Sequence, residues 1–206
     1  MKYPYAHILL IFLLFLIPFS GEAGRKDRKK KKDKKEQISK SDQVAIQSLY
    51  LDATKAKMLE DFQEAVNKFE KVTRMDPGNS AAYYELALLF FKSKQYENAL
   101  KYIQQATAND EGDNKWYLML EGEIYSYLDQ HNKAAETYTK LIEKHPNLLD
   151  YYFELAYQYI KADEYEDALD VYNQLETKIG FNENLALQKQ RLHLKIGDLE
   201  SAIDEI

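Results

Sequence analysis

Cysteine is absent from the 206 residues. This excludes disulfides, thiolate zinc sites, cysteine nucleophiles and a lipid anchor built on a cleavage-point cysteine. Proline and glycine are scarce, with 4 and 7 residues, which suits a helical chain. Only four histidines occur, at His7, His131, His145 and His193, and no two share metal-ligand spacing. No glycine-rich phosphate cradle and no nucleophile motif is present. The acidic stretch Asp110, Glu111, Asp113 and Asn114 lacks the ligand spacing and closing Glu of a calcium hand. Glu164 and Glu166 read as carboxylates of a solvated turn. The sequence thus offers no catalytic group, no cofactor site and no metal site, and the expectation is a protein that is not an enzyme.

What the chain does have is an uneven charge. Residues 25–35, RKDRKKKKDKK, hold nine basic and two acidic side chains. From Glu36 onward there are 18 basic and 31 acidic residues, a net of −13. A cationic segment therefore precedes an acidic body, and the acidic body argues against specific nucleic-acid binding. The lysine-rich stretch has too few apolar residues to offset chain entropy, so residues 24–43 read as a disordered linker. It is either a solvated spacer or a weak electrostatic contact to a membrane or polyanion through residues 25–35. No aromatics interleave with the lysines, so base stacking is not offered.

The N-terminus carries the longest apolar run, ILLIFLLFLI from Ile8 to Ile17, well short of the roughly 20 residues that span a bilayer. Ser20, Gly21, Ala23 and Gly24 follow it. Gly21 and Ala23 stand where a signal peptidase reads small residues, so residues 1–23 read as a signal peptide cut before Gly24; cuts after Ser20 or Gly21 are alternatives. The protein is then periplasmic or secreted. The basic flank after the run favours a second outcome, an uncleaved segment anchoring the chain to the cytoplasmic membrane.

Residues 44–206 carry a pattern that recurs about every 34 residues. Tyr83, Leu86, Ala87, Phe90 and Ala99 reappear as Tyr152, Leu155, Ala156, Tyr159 and Ala168. Units open near residues 46, 80, 115 and 149, and a partial unit covers 183–206. Within each, apolar residues three and four apart mark two short helices. A small residue in the first helix (Ala53, Ala87, Gly122, Ala156) and one in the second (Ala65, Ala99, Ala134, Ala168, Ala202) let the pair approach closely. Pro77 and Pro146 end the helices before them. Enlarging Ala87 or Ala156 is expected to overpack the pair.

These residues and spacings resemble the tetratricopeptide repeat family over most of the chain. The resemblance implies an all-α, right-handed superhelical solenoid of about 4.5 helix-turn-helix units. Departures are His131 in an aromatic position, a second unit that ends at Glu111-Gly112 without proline, and Lys189 and Gln190 where a leucine and a small residue are expected. Export signal, lysine-rich segment and repeats together are similar to exported repeat proteins of bacterial envelopes.

In that family the first helices line a concave groove. Carried over, it comprises Gln47, Tyr50, Thr54 and Lys57, then Ala81, Tyr84, Leu88 and Phe91. It continues with Trp116, Met119, Glu123 and Tyr127, and with Asp150, Phe153, Tyr157 and Ile160. Of these, Tyr50, Tyr84, Leu88, Phe91, Trp116, Met119, Tyr127, Phe153 and Tyr157 are the candidate anchors for another protein. Such a groove is expected to be aromatic and lightly charged, suited to an extended peptide or helix with apolar anchors. The Lys and Asn pair with which some relatives clamp a C-terminal carboxylate is missing, since Tyr50, Thr54, Tyr84 and Leu88 occupy those positions. Lys92, Lys161 and Lys195 recur at one position and compensate helix C-terminal dipoles. The apolar face of Leu199, Ala202, Ile203 and Ile206 suggests that the natural chain continues. The resulting expectation is an interaction scaffold of the bacterial envelope. Its alternatives are an array that assembles end to end and an N-terminal targeting module of a longer enzyme.

Overall fold

A computed structural model describes residues 38–110, 112 and 114–205. The expected signal peptide and residues 24–37 of the expected linker lie outside the described residues. Among the described residues the structure is ten helices and no strand. They form five hairpins: α1 (Lys40–Met58) with α2 (Phe62–Met75), α3 (Ser80–Lys92) with α4 (Tyr96–Asn109), α5 (Lys115–Tyr127) with α6 (His131–Lys144), α7 (Asp150–Lys161) with α8 (Tyr165–Ile179), and α9 (Glu183–Ile196) with α10 (Leu199–Asp204). Each helix packs on its neighbours in chain order, which makes a solenoid. The first helix starts ahead of the expected boundary near Ile46, so Lys40–Gln43 belong to α1 rather than to a linker; Asp42 sits in its first turn, where a carboxylate favours the helix N-terminus.

The hairpin turn is the same five times. A residue in the left-handed region follows the first helix: Glu60, Lys94, Asp129, Asp163 and Gly197, with φ between 54° and 86°. The next amide reaches back five residues, as in Asp61 N–H to Ala56 O, Gln95 to Phe90, Gln130 to Tyr125, Glu164 to Tyr159 and Asp198 to His193. This is the Schellman closure, which satisfies carbonyls that a helix end leaves open. Only Gly197 adopts that backbone without steric cost. Asp61 and Asp198 then cap the second helix by accepting from Glu64 N–H and Ser201 N–H. Between hairpins, Asn79, Asn114 and Asn182 cap α3, α5 and α9.

The small residues stand where the helices touch. Ala53, Ala65, Ala87, Ala99, Ala134, Ala156 and Ala168 are fully buried. Gly122 lies under the Tyr138 ring so closely that a Cβ would come within 2.5 Å of Tyr138 Cε1. Leu118, Tyr138, Leu141, Leu155, Leu175 and Leu185 join the later hairpins into one core, and Ala87, Ile103, Leu120 and Ile124 bridge the second and third. The fifth hairpin, the weakest match in sequence, forms nonetheless. Lys189 occupies its apolar position because it is paired: Nζ lies 2.8 Å from Glu176 and 2.7 Å from Glu205, which ties α10 to α8. Gln190 donates to the Ala202 carbonyl at 3.0 Å. Among the described residues no helix is long and apolar enough to cross a membrane.

Candidate functional site

The first helices α1, α3, α5 and α7 carry the candidate anchors, and three of these, Tyr84, Phe91 and Tyr127, enter two separate aromatic clusters. Tyr84 of α3 meets Tyr117 of α5 at 5.0 Å between ring centroids. Phe91 meets Tyr127 edge-on at 5.3 Å, and Tyr127 stacks on Tyr96 at 4.9 Å. Trp116, Tyr127 and Tyr157 are exposed at 56, 55 and 48 %. The Lys115 ammonium sits 5.0 Å from the centre of the Trp116 ring. Other candidates turn inward: Tyr50 packs edge-on against Phe69 at 5.3 Å, and Phe153 against Tyr172 at 5.9 Å. Leu88 and Met119 are half-buried against the core. Tyr127 falls one residue past the register of Phe91 and Ile160. Ser126 holds that register, and its hydroxyl accepts from Gln158 instead of facing a partner.

The face is more acidic than the repeat pattern suggested. Glu85 and Glu154, one residue beyond the carried-over Tyr84 and Phe153, come to the same surface as Glu123 and Asp150. The reason is that neighbouring first helices present adjacent positions to one another. Lys57 of α1 answers Glu85 of α3 with an ion pair of 2.6 Å. Farther along, Met119, Glu123, Tyr138, Asp150, Tyr151 and Glu154 enclose a cavity of about 300 Å³. Burial, and then the charge of Glu154, raise the Glu123 carboxyl above its ordinary value. Burial first, then Glu85 and Glu123, push the Tyr84 phenol up.

Two polar features that support this face were not legible in the repeats. Gln158 is fully buried in α7 and bonded at both ends of its amide. Its Nε2 donates to Ser126 Oγ at 3.0 Å, and its Oε1 lies 2.9 Å from His131 Nδ1, which assigns the imidazole proton to Nδ1. His131 thus gives up the aromatic role of its position to lock the third hairpin to the fourth. A second, larger cleft of about 690 Å³ lies between α4, α5 and α6, lined by Thr107, Glu121, Tyr125, Lys133, Glu136 and Lys140 among others. Its lining carries three lysines, Lys133, Lys140 and Lys144, against two glutamates, Glu121 and Glu136. Burial raises the Glu121 carboxyl, while the Thr107 hydroxyl, donating at 2.9 Å, and the Lys140 charge act the other way. Among the described residues no group of three or more His, Cys, Asp or Glu is placed to hold a metal ion.

Stacked hairpins with an aromatic first-helix face define a helical-repeat scaffold, a class that is generally non-catalytic and serves protein contacts. The chain belongs to the tetratricopeptide repeat family: models of that repeat match residues 58–123, 117–148 and 137–170, together more than half of the chain. Among solved structures, a MamA protein is similar over 78 % of this chain and 87 % of its own, with 18 % identity and a TM-score of 0.64. MamA from Desulfovibrio magneticus RS-1 matches over 82 % of this chain and 92 % of its own, with 10 % identity and a TM-score of 0.62. YrrB, described as a repeat protein of this kind with an unusual peptide-binding site, matches over 81 % and 89 %, with 14 % identity and a TM-score of 0.64. At these identities the likeness speaks to the fold. No curated protein matches the chain.

Proposed function

We propose that the chain is a non-catalytic adaptor that holds another protein on its first-helix face, as an extended segment or a helix with apolar anchors. The observation that carries this reading is a pair of aromatic clusters on these helices, Tyr84 with Tyr117 and Phe91 with Tyr127 and Tyr96, with Trp116, Tyr127 and Tyr157 left open to solvent. Exposed rings are costly to leave wet, bury large areas with few rotatable bonds, and serve as interface anchors. The peptide-binding site described for YrrB is in keeping with this use of the fold. The setting we propose is the bacterial envelope, outside the cytoplasmic membrane, on the strength of the apolar run and small residues of positions 8–24. A mature chain that still starts at Met1 would instead support an anchored form. The face is tested by capture from a native extract with the full chain and with a Tyr84→Ala/Trp116→Ala variant checked for helicity. Loss of the captured partner is expected, and undiminished recovery of every partner removes the face from consideration.

A second reading, end-to-end self-assembly, is favoured by one observation: Leu199 and Ile203 of α10 are 65 and 73 % exposed. A mass by light scattering that rises with concentration, and falls back when both are made polar, would support it.

A further inference from the structure

We infer that the first-helix face continues onto α9, where Arg191, bracketed by Leu187 and Leu194, is a subsite for an aspartate or glutamate side chain flanked by apolar residues of the bound segment; the inference rests on the reading above and specifies its partner. The fifth hairpin matches the repeat poorly in sequence, and the face expected from the repeats stopped at Ile160. The structure forms that hairpin all the same, with α9 running from Glu183 to Ile196. One repeat period beyond Phe153, Tyr157 and Ile160 stand Leu187, Arg191 and Leu194. Their spacing, i, i+4 and i+7, puts all three on one side of α9.

Two observations on α9 point to an anion held between apolar groups. The first is the pair of leucines. Phe153 and Ile160, at the matching positions of α7, pack against the core, whereas Leu187 and Leu194 are 42 and 53 % exposed. Leucines left wet on both sides of one residue favour a partner that covers them. The second is the guanidinium between them. Among the face positions, Lys57 and Arg191 are cationic. Lys57 is matched within the protein, by Glu85 at 2.6 Å. Arg191 is exposed and forms no ion pair or hydrogen bond with a described residue. The carboxylates that do reach α9 are committed to other groups: Glu176 and Glu205 hold Lys189 at 2.8 and 2.7 Å. Asp198 caps α10 through the Ser201 N–H.

The surroundings select among anions. A guanidinium offers a carboxylate two parallel N–H donors and matches its single charge one to one. A phosphate carries up to two charges and calls for more cations than the one found here. Leu187 and Leu194 lie about 10 Å apart along α9 with Arg191 between them. The carboxylate therefore belongs inside an apolar segment; a chain-terminal one would leave one leucine uncovered. The rest of the face sets the register. Glu123 and Asp150 hold face positions on α5 and α7 and repel an acidic side chain, so such a residue settles on α9 instead. The bound segment then lies with its acidic residue at the fifth hairpin and its other apolar anchors toward Tyr157 and Trp116.

The test uses the full chain with ¹⁵N-labelled arginine side chains and ¹³C-labelled leucine methyl groups. Its two probes are acetyl-Leu-Gly-Glu-Gly-Leu-amide and the same peptide with glutamine in place of glutamate. In the extended form both leucines and the central side chain face one way. The Arg191 Nε–H reports on the subsite, and Arg74, held by Glu70 at 3.6 Å on the first hairpin, reports nonspecific attraction. The expected result is a saturable shift of Arg191, at least about threefold tighter for the glutamate probe, while Arg74 stays in place. With the Leu187 and Leu194 methyl groups as reporters, Arg191→Gln should bring the two probes to equal affinity. Arg191→Glu should reverse the preference, toward the same peptide with lysine at its centre. Leu187→Ser, and separately Leu194→Ser, should weaken both probes at least about threefold. An unmoved Arg191, an equal response to both probes in the parent chain, or joint movement of Arg191 and Arg74 overturns the inference. If the probes are told apart while the Tyr84→Ala/Trp116→Ala variant captures every partner, the subsite stands and the wider face falls. If capture is lost in that variant but the parent chain does not tell the probes apart, the subsite falls alone.

Discussion

Adding one methyl group at Gly122 probes the close packing on which the stack depends. A Cβ there would stand 2.5 Å from Tyr138 Cε1 and 2.8 Å from Cδ1 and Cζ, where ordinary contact is 3.4–4 Å. The ring must therefore retreat by about 1 Å, and it is enclosed by the core of the third and fourth hairpins. Overpacking of this kind costs about 1–3 kcal/mol. Working against it, alanine is better than glycine inside a helix by about 1 kcal/mol. The balance is a destabilisation of up to about 2 kcal/mol for Gly122→Ala. In the second hairpin alanine at this position, Ala87, is accompanied by Ile103, which is slimmer than a phenol ring, and both are fully buried, whereas Ala53 and Ala156 accompany the rings of Phe69 and Tyr172. The double variant Gly122→Ala/Tyr138→Ile should then be more stable than the sum of its parts by about 1 kcal/mol. Urea unfolding followed by far-ultraviolet circular dichroism, on the parent, both single variants and the double, gives the coupling directly. A Gly122→Ala protein that gains the full helix-propensity term, or a cycle with no coupling, refutes the packing argument.

Lys94 holds φ at 58°, a backbone that costs an ordinary L-residue about 1 kcal/mol, so Lys94→Gly should raise stability by about 0.5–1 kcal/mol in thermal unfolding, and Asp129→Gly by less. Lys189→Ala strands the Glu176 and Glu205 carboxylates; amide hydrogen exchange should accelerate across Leu199–Asp204 by at least about tenfold, with the earlier hairpins unchanged. Alkali should unfold the chain through its tyrosines. Burial raises Tyr84, Tyr117, Tyr138 and Tyr172, and burial with the bond to Glu70 pushes Tyr102 up to about 12. A raised folded value means the unfolded chain loses these protons first, so the stabilisation is complete below about pH 10 and declines as pH rises toward 12 and beyond. Phenolate absorbance and loss of helicity should rise together; free titration of all tyrosines near pH 10 with helicity intact contradicts this.

The fold was legible because a repeat compares like with like. Ala53, Ala87, Gly122 and Ala156 align one period apart, and each is buried at a helix crossing. The contacts between repeats obey a different spacing. Tyr102 donates to Glu70, Asn109 to Pro77 O, Lys144 to Gly112 O and Gln158 to Ser126, every one across 32 residues rather than a full period. Aligned repeats therefore never set these partners side by side, which is why the His131–Gln158–Ser126 chain and the acid-lined cavity went unread. Lys189 was unreadable for a related reason: a buried lysine is acceptable only if carboxylates from two other helices reach it, and sequence order does not reveal that they do. The aromatic anchors divided along the same line. Trp116, Tyr127 and Tyr157 stayed exposed, whereas Tyr50 and Phe153 found rings within their own hairpins. The extra helical turn at Lys40 was hidden by its polar composition, which matches the linker before it.

The most direct measurement of the central claim uses the chain's one tryptophan. Trp116 stands in the first turn of α5 on the proposed face and is 56 % exposed, so its emission reports on that surface. Titration of the full chain with a captured partner free of tryptophan should move the emission to shorter wavelength and saturate with the binding curve. Stoichiometric binding that leaves the emission unchanged would place the contact elsewhere and contradict the account.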